Sequence, residues 1–231
     1  FSALSEASGL ESSEQRGLHA YLEAYPALGR HEVRDDWLSE PESGDRVLTY
    51  DASLFAAGEL RVRGLSEHRD ILVFLPGHQM SSDKVFSNRL ANCDLVAFAR
   101  SKGLALACWD WPLQGERLNR CLFSDLNSVF SAEREYARIL PLLGACLWRE
   151  YVAELTWGLQ QIARLAGPDR NVHVLGWSMG GAFAYLAPLL GTRIASAVSV
   201  GSCARFADLV REGKTRRHSY FFYPLAAVNS C

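Results

Sequence analysis

The chain has 231 residues with a formal net charge of −2, and 48% of them are hydrophobic and 22% charged. This composition is typical of one ordered globular domain with a large core, and it excludes a disordered tail. The 24 Lys and Arg are balanced by 26 Asp and Glu, so nucleic acid is not a predicted partner. No apolar run approaches the roughly 20 residues of a membrane-spanning helix, so no transmembrane segment is predicted.

The N-terminal part of the chain differs from the rest in pattern. The first 45 residues predict an extension of one short amphipathic helix, ended by Pro26, and loose connections. From Arg46 to Arg63 short apolar stretches lie on either side of Ala56-Ala57-Gly58, which predicts two strands joined by a turn. We therefore divide the chain into an N-terminal extension, residues 1–45, and an α/β domain, residues 46–231.

The next elements alternate between buried strands and helices. Residues 71–75 and 104–109 are unbroken apolar runs, which are typical of strands covered on both faces, as in a parallel sheet. Between them the sequence predicts one helix with apolar positions from Val85 to Phe98, capped by Ser81 or Ser82.

The remaining elements continue this alternation. A surface excursion with a short helix is predicted over residues 118–146, and a long helix over 148–165. A strand over 172–176, a helix after Ser178 over 179–190 and a last strand over 194–200 follow. Because parallel strands need crossover connections, this order predicts an α/β fold with a mostly parallel sheet and helices on both faces.

One motif lies between a predicted strand and an Ala-rich helix. Gly176-Trp177-Ser178-Met179-Gly180 matches G-x-S-x-G, the pattern of a nucleophile elbow. The letters alone are a weak signal in a chain with 18 Gly, but the strand-to-helix context is what the elbow requires. Ser178 is therefore the candidate nucleophile, and the amide of Met179, at the helix N-terminus, is a candidate oxyanion donor.

The second oxyanion donor normally comes from the loop after an earlier strand. Here that loop is Pro76-Gly77-His78-Gln79-Met80. We expect the N–H of Gln79 to be this donor, with that of His78 as the alternative. The competing interpretation is a glycine turn that merely opens a helix.

The run from Asp169 to Val198, with the elbow at its centre, resembles the dienelactone hydrolase and acetyl xylan esterase group of the α/β-hydrolase superfamily. The loop at 76–80 stands where that group has a His-Gly-His-like turn, with Pro76 in place of the customary His. Gly115-Glu116-Arg117 is similar to the group's loop after the next strand. The similarity covers about residues 46–230 and implies the α/β-hydrolase fold and a serine esterase activity.

In that fold the triad follows the chain order Ser, then Asp or Glu, then His, with the last two on loops after later strands. After Ser178 the chain contains Asp208, Glu212 and one histidine, His218. The resemblance places these residues before the strands that present the acid and the base. We therefore expect the chain to be C-terminally incomplete, without its catalytic Asp and His. The competing interpretation is a triad completed by Asp208 and His218.

The sequence thus predicts a serine hydrolase that cleaves small-molecule carboxylic esters, with its acid and base beyond residue 231. Two alternatives stay open: a non-catalytic binding or scaffold protein with this fold, and a serine peptidase of the prolyl-oligopeptidase type. This chemistry requires no cofactor, and no metal site is predicted because the six cysteines form no CxxC pair. No signal peptide pattern is visible, and the compartment and oligomeric state stay open.

Overall fold

The computed structural model describes most of the chain between residues 45 and 202. The described residues are 16, 23, 30–34, 37–39, 45–52, 54–88, 90, 93–120, 128–190 and 193–202. Asp208, Glu212 and His218 lie outside them. In the described parts, no helix has the length and the apolar character needed to cross a membrane.

The described strands belong to one sheet. In chain order they are β1 (His31–Val33), β2 (Leu38–Ser39), β3 (Arg46–Ala52), β4 (Phe55–Arg63), β5 (Asp70–Leu75), β6 (Leu104–Trp109), β7 (Val172–Trp177) and β8 (Ser196–Val200). Their order in the sheet is β1-β3-β4-β6-β5-β7-β8, and β2 pairs with β3. Strands β6, β5, β7 and β8 run parallel, whereas β1 to β4 add an antiparallel part. The first two strands therefore come from the stretch predicted as an extension.

The helices connect the parallel strands. They are α1 (Ser82–Phe86), α2 (Leu95–Ser101), α3 (Glu116–Asn119), α4 (Val129–Ile139), α5 (Leu147–Ala166) and α6 (Met179–Leu186), with 3-10 turns at Leu140–Leu143 and Ala187–Leu189. This arrangement confirms the predicted α/β class, with a parallel core that carries helices.

Both faces of the sheet are buried, because successive side chains of a strand point to opposite faces. On β5, Ile71, Val73 and Leu75 belong to the core formed with α5 and α6. Leu72 and Phe74 belong to the second core, formed with α1 and α2. Helices therefore cover both faces, which explains why β5 is an unbroken apolar run.

The predicted hairpin turn is wrong. β3 ends at Ala52 and β4 begins at Phe55, so Ala56-Ala57-Gly58 lies inside β4. Gly58 is paired with Tyr50, and a Cβ at Gly58 would overlap the Tyr50 ring. The glycine makes room for this buried aromatic ring and does not mark a turn.

The single helix predicted between β5 and β6 is two helices. Ser81 caps α1, because its Oγ accepts a hydrogen bond from the N–H of Lys84 at 3.3 Å. Asn88, just after α1, has a φ of 56° that cannot continue a helix. Asp94 then caps α2 by accepting from the N–H of Ala97 at 2.8 Å.

Candidate active site

Ser178 lies at the corner between β7 and α6. It follows the last strand residue, Trp177, and precedes the first helical residue, Met179. Its φ of 54° and ψ of −116° are a backbone conformation that L-residues avoid, at a cost of about 1–3 kcal/mol. Its N–H donates to the carbonyl of Val200 at 2.8 Å, which fixes the corner against the end of β8. The side chain is half-buried.

Two glycines allow this corner to form. A Cβ at Gly176 would overlap the carbonyl of Gly180, the second residue of α6. A Cβ at Gly180 would in turn overlap the carbonyl of Leu75 at the end of β5. The first turn of α6 therefore touches the backbone of β5 and β7 directly, and only hydrogen atoms fit between them.

The loop after β5, residues 76–80, lies against Ser178. A Cβ at Gly77 would be 3.1 Å from the Cβ of Ser178 and 2.9 Å from the carbonyl oxygen of Trp177. Two residues further, Gln79 has a φ of 63°, a second strained backbone conformation. The structure thus brings the loop that carries Gln79 next to Ser178 and Met179.

The carbonyl groups of this loop are held by side chains that follow β6. The indole N–H of Trp111 donates to the carbonyl of Pro76 at 2.8 Å. The buried amide of Gln114, with its nitrogen toward the loop, donates to the carbonyls of Gly77 at 3.1 Å and Met80 at 3.3 Å. These bonds tie the loop to the segment that follows β6.

The backbone N–H groups of the two predicted oxyanion donors are available. Among the described residues, the N–H of Gln79 donates to no acceptor, while its carbonyl accepts from Lys84 Nζ at 3.1 Å. The N–H of Met179 belongs to the first turn of α6, where a helix provides no acceptor of its own. Neither N–H group therefore has a hydrogen-bond acceptor in the described part of the chain.

The acid and the base are not assigned by the described residues. No hydrogen bond joins the Ser178 side chain to a His, Asp or Glu in the part of the chain that is described. His173 lies near the start of β7, where its Nδ1 is 2.8 Å from Ser196 Oγ, so it is at the wrong end of the strand. The candidates Asp208, Glu212 and His218 fall outside the described residues.

Asp110 follows the carboxyl end of β6, on the same side of the sheet as Ser178, but its carboxylate binds the backbone of a neighbouring loop. Its Oδ1 accepts from the N–H of Ser82 at 2.5 Å, which ties the start of α1 to the end of β6. Burial raises the pKa of this carboxyl above its usual value, and the hydrogen bonds from Ser82 oppose the shift. A cavity of about 1000 Å³ opens here, and Gln79, Asp110 and Arg117 are among its lining residues. Ser178 is not one of them.

Two groups of buried charged side chains near this rim were not predicted. In one, Glu133 of α4 is hydrogen bonded to His78 and Tyr151. In the other, Arg117 pairs with Glu154 of α5. The sequence contains a sign of them: both glutamates occur at helix positions whose period places them among buried apolar residues, which predicts buried carboxylates with partners.

The described residues contain no group of three or more His, Cys, Asp or Glu placed to hold a metal ion. The cysteines described as free thiols are Cys93, Cys108 and Cys146, and the last two are buried.

Comparison with known proteins gives structural matches. No protein-family model matches the chain, and no curated protein matches it in sequence. A Bacteroides fragilis protein assigned as an acetyl xylan esterase matches 78% of this chain over 50% of its own length, with a TM-score of 0.52 and 17% identity. Acetyl xylan esterase 1 from Thermoanaerobacterium sp. matches 90% of this chain over 64% of its own length, with a TM-score of 0.53 and 13% identity.

These likenesses establish the fold. The sheet order, the helices on both faces and the strand-to-helix corner agree with it. This chain spans 50% of the first protein and 64% of the second, less than two thirds of each. The chain therefore has the α/β-hydrolase fold and is similar in structure to acetyl xylan esterases.

Proposed function

We propose that the protein is a serine hydrolase that acts on carboxylic esters. The observation that carries the proposal is Ser178, held at a φ of 54° between β7 and α6 with Gly77 packed against it. A strained corner is kept only where the surrounding structure enforces it, and such corners cluster at functional sites. The esterases among the structurally similar proteins agree with this chemistry.

In this reaction the Oγ of Ser178 attacks the carbonyl carbon of the ester, and the carbonyl oxygen becomes an oxyanion. The N–H groups of Met179 and Gln79, with His78 as the alternative to Gln79, donate to that oxygen. The N-terminus of α6 adds its favourable dipole to the same point. Because these groups are fixed before the substrate binds, they stabilise the developing charge without reorganisation.

The base that accepts the Ser178 proton, and the acid that orients this base, belong to no described residue. Within the sequence the candidates are Asp208 and His218, which lie outside the described residues. The substrate is a small-molecule ester, and the chain itself does not determine its acyl and alcohol parts.

Hydrolysis kinetics on the longest natural form of the protein, with any residues that follow Cys231, test the proposal. We expect the wild type to hydrolyse p-nitrophenyl acetate and the Ser178→Ala variant to lose at least about 1000-fold in kcat. Ser101→Ala, at the exposed end of α2, is the matched control and keeps the wild-type rate.

Two results contradict the proposal. A folded wild-type protein without hydrolysis of any ester supports the non-catalytic binding protein. Faster cleavage of peptide p-nitroanilides than of esters supports the serine peptidase.

A further inference from the structure

Glu133 on α4 is a fully buried carboxylate that reaches the loop at residues 76–80. Its Oε2 lies 3.2 Å from Nε2 of His78, and its Oε1 lies 2.9 Å from the hydroxyl of Tyr151, whose one hydrogen also faces the carbonyl of Pro112 at 2.7 Å. The glutamate is 0% exposed. Because a carboxylate oxygen accepts, this contact is a hydrogen bond in the His78 tautomer that carries its hydrogen on Nε2.

His78 is the residue between the two functional parts of the loop. Gly77 before it packs on Ser178, and Gln79 after it carries the strained φ of 63°. The His78 side chain is 10% exposed, and its ring lies 5.0 Å from that of Phe130, also on α4. The imidazole thus fastens the middle of the loop to α4.

The second hydrogen-bonding neighbour of Glu133 is Tyr151. Burial raises the pKa of Tyr151 well above its usual value, so its hydroxyl stays protonated and is able to donate. Tyr151 is fully buried on α5, the longest helix described. Glu133 therefore connects the loop, through His78, to two packed helices.

We propose that Glu133 is a positioning residue that acts through His78 to hold the 76–80 loop in the conformation that donates to the oxyanion. The inference rests on the proposed function of Ser178 and adds a residue outside the elbow. A strained loop residue such as Gln79 relaxes when its tether is lost, because nothing in its own backbone preference favours a φ of 63°. Its N–H then no longer points at the oxygen of the tetrahedral intermediate.

This role has a kinetic signature. An oxyanion donor acts on charge that develops only in the transition state, so its misplacement lowers kcat and leaves KM nearly unchanged. Loss of a whole donor lowers kcat by roughly 100- to 1000-fold. In the variants the Gln79 N–H is still present and reaches the oxyanion part of the time, so kcat is expected to fall by only about tenfold.

The test measures p-nitrophenyl acetate hydrolysis by the longest natural form of the protein, with variants of the pair. His78→Leu and Glu133→Gln are each expected to lower kcat about tenfold at constant KM. His78→Gln, whose amide nitrogen can still donate to Glu133, is expected to recover most of kcat. The double variant His78→Leu with Glu133→Gln is expected to lose no more than the worse single variant, because the two residues act as one unit. Arg138→Gln, exposed on the same helix, is the control.

Hydrogen–deuterium exchange of the segment 76–84 supplies a readout that needs no activity. We expect faster exchange of this segment in His78→Leu, with unchanged exchange in α5 and β7. Wild-type kcat and wild-type exchange in His78→Leu would overturn the inference, and so would a loss of protection spread over the whole domain. A wild type without hydrolysis would refute the proposed function, while the exchange data still decide whether the pair holds the loop.

Discussion

At the scale of single residues, the candidate site is marked by backbone strain. Four residues other than glycine have a positive φ in the described parts, and two of them, Gln79 and Ser178, belong to the site. The strain at Ser178 was predictable, because Gly176 and Gly180 on either side allow the helix to approach the strands. The strain at Gln79 was not, since the residue types of the 76–80 loop do not mark which of them takes a positive φ.

Gly180→Ala tests the close approach at the corner. The added Cβ would overlap the Leu75 carbonyl, and neither backbone can move freely, so we expect a loss of about 3 kcal/mol in the free energy of unfolding. Urea denaturation measures it. Gly103→Ala is the matched control: its φ is 69° but no atom lies within 4 Å, so the expected cost is about 1 kcal/mol. Equal losses in the two variants would contradict the packing explanation.

The second residue-scale feature is the buried ion pair of Arg117 and Glu154. Arg117 donates through Nη1 and Nη2 to the two oxygens of Glu154, at 2.5 and 3.0 Å. Tyr50 donates to the same carboxylate at 2.9 Å. Burial alone would raise the pKa of Glu154, but Arg117 and the hydrogen bonds from His31 and Arg117 outweigh it, so the pKa is lowered.

The lowered pKa of Glu154 predicts loss of stability in acid. A carboxyl with a depressed pKa contributes stability that is complete above its unfolded pKa, about 4.5, and is lost as the pH falls through the folded pKa. We expect the free energy of unfolding, from urea titrations, to fall between pH 6 and pH 3. Asp110 acts on stability in the opposite direction. Burial raises its pKa, so its protonation as the pH falls favours the folded state.

The Glu154→Gln variant isolates this effect. It leaves Arg117 buried without a carboxylate, so we expect it to lose about 3–5 kcal/mol at pH 6 and to show a shallower fall toward pH 3. Glu59→Gln, in which an exposed partner of Arg61 is changed, is the control and follows the wild-type curve. If the free energy of unfolding of Glu154→Gln falls with pH in parallel with that of the wild type, the lowered pKa of Glu154 does not cause the loss of stability in acid.

At the scale of elements, hydrophobic period decided which predictions were correct. The strands β5 and β6 and the helix α5 were predicted correctly, because burial of one or both faces of an element requires a periodic or unbroken pattern of apolar residues. The hairpin and the helix after β5 were misplaced for a different reason. Gly58 and Asp94 act through one tertiary or one capping contact each, and neither contact has a periodic signal.

The buried face of α5 provides a prediction at this scale. Leu159 is 0% exposed in the core between α5 and the sheet. Leu159→Ala is expected to lower the free energy of unfolding by about 3 kcal/mol, because it removes buried methyl groups and leaves a cavity. Leu142→Ala, at a side chain 83% exposed, is the control and is expected to cost less than about 0.5 kcal/mol. Thermal and urea unfolding of both variants measure the difference, and similar costs would place α5 outside the core.

At the scale of the whole molecule, the residues of the candidate site lie together at the carboxyl ends of the parallel strands. The 76–80 loop follows β5, Asp110 and Gln114 follow β6, and Ser178 follows β7. These strands are parallel, so their carboxyl ends meet at the same rim, where α/β sheets bind ligands. The order of elements predicted this meeting from the sequence. The acid and base stay untested, because Asp208, Glu212 and His218 lie outside the described residues.

Covalent labelling of the longest natural form of the protein with a fluorophosphonate probe tests the central claim most directly. Such probes react with a serine only when its hydroxyl is activated and an oxyanion site accepts the phosphonyl oxygen. We expect one adduct, mapped by mass spectrometry to the peptide that contains Ser178, and none in the folded Ser178→Ala variant. A folded wild-type protein that stays unlabelled, or that carries the adduct on another residue, would contradict the assignment of Ser178 as the nucleophile.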